Sequence, residues 1–133
     1  MQMNDLETRN DIIKLTTIFY SKVRKDSVLG PIFNGIINDW ENHIIHIADF
    51  WNTNLFGVPA YKGNPISKHI EVDRKQHHTI NNEHFGIWLR LWITTIDELF
   101  EGKIATLAKD RARRMATIFF IKIFENQQNV PKE

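Results

Sequence analysis

Apolar side chains recur along this chain every three or four residues in four long stretches, and Gly, Pro and Asn gather in the segments between them. That spacing marks one face of an α-helix, and no stretch sustains the alternation of a strand, so the class is all-α. Thr8 with Asp11 three residues on reads as a capping box opening a first helix, with Ile12, Leu15, Phe19 and Val23 inward. Lys22, Arg24 and Lys25 suit its C-terminal end, where the helix dipole favours cations. Leu29-Gly30-Pro31-Ile32-Phe33 reads as a sharp corner, after which Gly35 permits another turn. Asn38 with Glu41 reads as a second capping box, opening a helix that Gly57 closes.

Gly57, Pro59 and Gly63 make the next stretch a loop. Asn64-Pro65 is an N-cap followed by proline at the first helical position, and Ile66 to Ile70 then leaves room for a turn or two before the polar run Glu71 to His78. Thr79 is expected to cap the following helix, with Phe85, Trp88, Leu91, Trp92, Ile96, Leu99 and Phe100 inward and Gly102 as its stop. A last helix is expected from Lys103 to Phe124, burying Ile104, Leu107, Ala108, Met115, Ile118, Phe119 and Ile123. Asn126 to Glu133 reads as a frayed tail.

A length of 133 residues fits a single domain, and no internal repeat divides it. Seventeen basic against sixteen acidic residues leave +1, which supports neither nucleic-acid nor acidic-membrane binding. The cluster Lys109 to Arg114 reads as the solvated side of a helix, with Asp110 and Arg114 spaced for an i,i+4 pair. No cysteine is present, which removes disulfides, thiol catalysis and iron–sulfur clusters. The polar, acidic start and the lack of a long apolar run point to a cytoplasmic protein without a membrane span.

Histidine carries the candidate chemistry. Counting about 100° per residue from Trp40, the residues Ile44, Ile47, Phe50, Trp51 and Leu55 share one wide stripe. His43 falls at roughly 300° on that count, between Phe50 and Ile47, with His46 at the stripe's edge. An imidazole there is either a hydrogen-bonded core residue or one that faces a ligand. His69 sits between Ile66 and Ile70 on a helix too short to hold itself, so it is either an ordinary surface histidine or one anchored by something else. The Glu-x-x-His pairs of a di-iron bundle, the His-Glu-x-x-His of a zincin and the Gly-rich phosphate cradles are all absent. His43 and His46 alone are a weak metal signal.

Haem asks for less. It needs one neutral imidazole and apolar side chains from several helices, and a small ligand polarised by its iron is stabilised by buried O–H or N–H donors. Tyr20 and Trp88 can both donate, and each stands on or beside an apolar helix face. Taken singly, Tyr20 also reads as a boundary residue and Trp88 as plain core. Without Cys-x-x-Cys-His, haem here would be held non-covalently.

Five pieces then fall in order along nearly the whole chain: Ile18-Phe19-Tyr20-Ser21-Lys22-Val23-Arg24-Lys25-Asp26, Leu29-Gly30-Pro31-Ile32-Phe33, Trp40-x-x-His43 with Phe50-Trp51, Lys68-His69, and Ile87-Trp88-Leu89. In that order they resemble the group III, or P-type, truncated haemoglobins. No two of the six glycines are adjacent, unlike the Gly-Gly pairs that mark groups I and II. The resemblance implies a shortened globin, two helices packed across two others around haem b. It assigns His69 as the proximal iron ligand, Tyr20, His43 and Trp88 as the distal polar set, Ile47 as a distal apolar contact and Phe33 as the corner phenylalanine against the haem. The run Glu71 to His78 is longer and more charged than the family's pattern, and His46 is an added histidine.

The implied function is tight binding and slow release of oxygen, extending to nitric oxide, carbon monoxide, cyanide or peroxide, with a reductase as partner. Nitric-oxide or peroxide detoxification follows as a role. Two readings from other classes stand beside it: a haem enzyme, peroxidase or nitric-oxide dioxygenase, marked by steady turnover, and a cofactor-free helical interaction module, marked by a colourless preparation.

Overall fold

The computed structural model describes residues 3–129, and among them six helices form and no strand. They are α1 (Arg9–Lys25), α2 (Leu29–Ile36), α3 (Trp40–Phe56), α4 (Pro65–Lys75), α5 (Asn82–Leu99) and α6 (Lys103–Gln128). Helix α1 packs on α3, and α5 on α6. The pairs meet through α1 against α5 and α3 against α6. This is the two-on-two helical arrangement. Helix α2 bridges α1 and α5, whereas the backbone of α4 packs closely on α6 alone, with α5 reaching it through the side chain of Phe85.

The Thr8–Asp11 capping box forms, and Gly57 closes α3 in the left-handed region at φ 71°, which glycine enters without a Cβ clash. Several local expectations differ from the outcome. The corner at Leu29 to Phe33 is helix: Asp26 accepts hydrogen bonds from the backbone of Val28 and Leu29, and Pro31 sits in the first turn, where its missing N–H leaves no gap. Asp39, not Asn38, caps α3, and Asn81, not Thr79, caps α5 with His84 returning the bond. Helix α4 runs through the polar stretch to Lys75, because Glu71 and Lys75 lie on one exposed face while Asp73 turns inward.

Helix α5 stops at Leu99, and Gly102 begins α6 instead of ending α5. Gly102 has φ 148°, and a Cβ there would stand 2.5 Å from Cγ of Asp5. That close approach lets the Asp5 carboxylate accept from the N–H groups of Ile104 and Ala105, capping α6 from the far end of the chain. Burial alone would raise the Asp5 pKa, but these bonds, with those from Leu6 and Lys103, hold it below the usual value. Helix α6 continues past the expected end at Phe124 to Gln128, so Asn126 to Gln128 are helical, and residues 130–133 lie outside the described residues. Ile118 is 46% exposed: the buried stripe runs through Ala105, Ala108, Ala112, Ala116, Phe119 and Ile123, and Ile118 stands about 100° from Phe119. Asp110 pairs with Arg113, one residue nearer than Arg114.

The interior consists of two apolar clusters. The larger holds Phe19, Trp51, Trp92, Ile96 and their neighbours from α1, α3, α5 and α6. Trp92 stacks on Trp51 at 4.7 Å between ring centroids, and its indole N–H donates to the carbonyl of Ala108. The smaller cluster, Ile80, Phe85, Ala116, Phe119 and Ile123, supports Ile66 and Ile70 of α4. Trp88 and Met115 pack against both. No helix among the described residues is long and apolar enough to cross a membrane.

Candidate functional site

Helix α1 turns Tyr20 into the larger cluster, where its side of the helix is set by Phe19 and Val23, and leaves it 4% exposed. The phenol ring is fixed by Phe19 at 5.0 Å, Phe33 at 6.0 Å, Trp40 at 5.6 Å and His43 at 5.0 Å. Burial pushes its pKa above the ordinary phenol value, so the hydroxyl keeps its proton and remains a donor. Phe33, from α2, and Trp40, from the first turn of α3, close the side of this group.

His43 is held edge-on between Tyr20 and Trp40, its ring 5.7 Å from the latter. Burial lowers its pKa to about 4, and the neighbouring His46 adds to the effect, so the ring is neutral at ordinary pH. Its Nε2 is buried without a hydrogen-bond partner. An orphan of this kind costs about 1–3 kcal/mol, and a polar ligand offering a partner removes that cost. His46 turns away from this group and packs on Tyr61 at 4.9 Å. The described residues contain no set of three or more His, Cys, Asp or Glu able to hold a metal ion.

Trp88 on α5 meets Phe19 edge-on at 5.9 Å and lies nearly parallel to Trp92. Ile47 is half-buried against the larger cluster, as are Ile44 and Phe50. Tyr20, Trp40 and Ile44 also floor an open cleft of about 720 Å³, with Arg24 and Lys25 among its polar lining and the Arg24 guanidinium 4.5 Å above the Trp40 ring.

His69 stands on α4 in a different setting. Its Nδ1 is 2.6 Å from the carbonyl oxygen of Pro65, one turn back. A carbonyl only accepts, so Nδ1 carries the proton and Nε2 keeps a lone pair. The ring is stacked on Phe119 at 4.3 Å and lies near Phe85 at 6.1 Å. Burial lowers its pKa, while the bond to Pro65 opposes that shift, so the neutral form is favoured. Helices α3 and α4 do not pack on one another. The two histidine settings are joined through α5, where Phe85 reaches His69 and Trp88, about one turn on, reaches Phe19 and the Tyr20 group.

Thus Tyr20, His43 and Phe33 form one contact group, Trp88 adjoins it through Phe19, Ile47 packs against the same larger cluster, and His69 stacks on Phe119 of the second cluster. Trp40, Phe85 and Phe119 carry no assigned role at the level of sequence. The spacing of Trp40 and His43, one turn apart on α3, is the signal for the first. The stacking of Phe85 and Phe119 on His69 has no counterpart in local spacing.

This donor set fits haem: a neutral imidazole with a free Nε2 on one side, half-buried apolar and aromatic surface on α3 and α5, and a second buried group of neutral donors. No protein-family model matches the chain. A group 3 truncated haemoglobin from Campylobacter jejuni is 35% identical over 115 residues, 84% of this chain and 87% of that protein. The crystal structure of a group III truncated haemoglobin from Campylobacter jejuni superposes with a TM-score of 0.81 at 33% identity, covering 92% of this chain and 95% of that one.

Proposed function

The chain belongs to the group III truncated haemoglobins, and on that premise we propose that it holds haem b non-covalently through His69 and binds oxygen tightly. The observation that carries this reading is the His69 hydrogen bond to Pro65, which fixes the tautomer whose free Nε2 can ligate iron. Haem would supply, when bound, an iron able to take a small diatomic ligand. Phe33, Ile47 and Trp88 would line its faces and edge. Tyr20 would donate its hydroxyl proton in a hydrogen bond to the ligand, and Trp88 its indole N–H. His43 would partner its orphaned Nε2 and, standing between Tyr20 and Trp40, act as a swinging side chain that controls access.

Several neutral donors around one ligand favour slow release, since departure leaves each of them unsatisfied in a buried site. Slow release suits ligand trapping, nitric-oxide detoxification or peroxide chemistry better than bulk oxygen carriage. The last two roles need an electron donor, for which a separate reductase is the natural class of partner. The test is the visible spectrum of purified protein, as isolated and after titration with haem. A saturable one-to-one complex whose spectrum changes with oxygen, carbon monoxide and cyanide is expected. A protein that takes up no haem would return the chain to the class of helical interaction modules.

A further inference from the structure

Asp73 is fully buried, the one carboxylic acid among the buried described residues. It lies on α4 one turn beyond His69, roughly 40° round the helix, so both face α6. A buried carboxylate is tolerated when its oxygens are bonded, and these are. Oδ1 accepts from the Ile80 N–H at 3.0 Å and from Nε2 of Gln127 at 3.0 Å, and Oδ2 lies 3.2 Å from Nδ1 of His78. The same Gln127 amide lies 3.1 Å from the carbonyl of His78 and 3.0 Å from that of Ile80. One side chain from the last turn of α6 therefore ties together the end of α4 and the turn that leaves it.

That turn is strained. His77 and His78 have φ of 59° and 61°, a left-handed conformation disfavoured for residues with a Cβ, and such geometry persists where its surroundings impose it. The His78 N–H donates to the Asp73 carbonyl at 2.8 Å, and the Asp73 carboxylate holds Ile80 beyond it. Since α4 packs its backbone closely against α6 alone, its placement depends on two attachments: the apolar one, with His69 stacked on Phe119 and near Phe85 and with Ile66 and Ile70 against the smaller cluster, and the polar one at Asp73 and Gln127.

We propose that the Asp73–Gln127 node is a positioning device for His69, clamping the C-terminal half of α4 to the last turn of α6 and so setting where Nε2 of His69 meets the iron. This inference rests on the haem reading above. A node that served stability alone would alter the unfolding temperature and leave the proximal bond unchanged in molecules that stay folded. A positioning node alters that bond in the folded protein.

The test uses the haem-loaded protein well below its unfolding temperature. Gln127→Met keeps length and removes the amide, breaking the node from α6, and Asp73→Asn weakens it from α4. Three quantities are measured: the iron–histidine stretching vibration of the ferrous protein by resonance Raman, the rate of haem loss to an excess of a scavenging apo-globin, and amide exchange at Ile80 in the haem-free chain. Gln127→Met is expected to shift and broaden the vibration, to speed haem loss by about tenfold or more, and to speed exchange at Ile80. Asp73→Asn should act in the same direction, and the double variant should add little to the stronger single one. Faster exchange at Ile80 with vibration and haem loss equal to wild type would overturn the proposal and leave the haem reading intact. Unchanged exchange would overturn it also, by showing that the node does not hold the turn. If Asp73→Asn does not fold, Gln127→Met decides alone. A wild-type chain that takes up no haem removes the proximal role of His69 and this proposal with it.

Discussion

Replacing Tyr20 by phenylalanine isolates a single oxygen atom. The ring is 4% exposed and gripped by Phe19, Phe33, Trp40 and His43, so the variant keeps all four aromatic contacts and loses the hydroxyl alone. A near-isosteric swap of this kind changes stability by less than about 1.5 kcal/mol. The hydrogen bond it removes has a partly charged acceptor, the bound ligand, and is of the order of 1.5 kcal/mol, which corresponds to about a tenfold change in an equilibrium constant. That change should appear in dissociation, because association does not depend on a bond formed after the ligand arrives. Oxygen release, followed by stopped-flow displacement with carbon monoxide, is expected to accelerate about tenfold or more, with the association rate little altered. Release at the wild-type rate would place the hydroxyl away from the ligand. Faster release accompanied by a large loss of stability would mean that the ring, and not its proton, is what matters.

His69→Ala is expected to abolish stable haem binding and to recover a normal spectrum when imidazole is added; unchanged haem content would remove the proximal assignment. Trp88→Phe should speed oxygen release with little loss of fold, and should couple with Tyr20→Phe in a double-variant cycle, since the two donors would share one acceptor; strict additivity would separate them. In the haem-free protein the pKa of His43 is about 4 against 6.5 for the free side chain, and that of His69 is lowered too, so protonation favours unfolding. Stability should therefore be highest above about pH 6.5 and fall as the pH drops towards 4, with a shallower fall in His43→Leu; urea midpoints at several pH values measure both. Gly102→Ala should lower stability by about 2 kcal/mol or more, through the φ of 148° and the clash with Asp5, a loss visible in thermal unfolding.

Signals confined to one turn were legible in the chain. The Thr8–Asp11 box, the Asn64-Pro65 start and the glycine at position 57 each satisfy backbone groups within a few residues, so local chemistry alone announces them. Where the helix boundary depends on a distant partner, spacing misleads. The charged run after Ile70 resembles a solvated loop because nothing nearby indicates that Asp73 is met by Gln127, 54 residues later. Helix α6 likewise begins at a glycine because Asp5 reaches across from near the other end of the chain. Among the candidate site residues, Tyr20 and His43 could be read from their helix faces, and structure adds that their rings touch. For His69 the short helix and its proline were visible. The Phe119 surface on which it stacks belongs to α6 and was not.

The dependence of α4 on α6 also fixes an order of events during synthesis. Helices α1 to α3 leave the ribosome first and α5 can begin the larger cluster against them, but α4 lacks most of its surface, Ala116, Phe119 and Ile123, until α6 exists. Its final tie, from Gln127, belongs to the last turn of the last helix. With Asp73 emerging 54 residues earlier, several seconds separate the two at translation rates of about 5–20 residues per second. The growing chain therefore cannot present a fully seated His69 before α6 has emerged. Cofactor capture at His69 therefore waits for the C-terminal helix, however early the distal group of Tyr20 and His43 comes together.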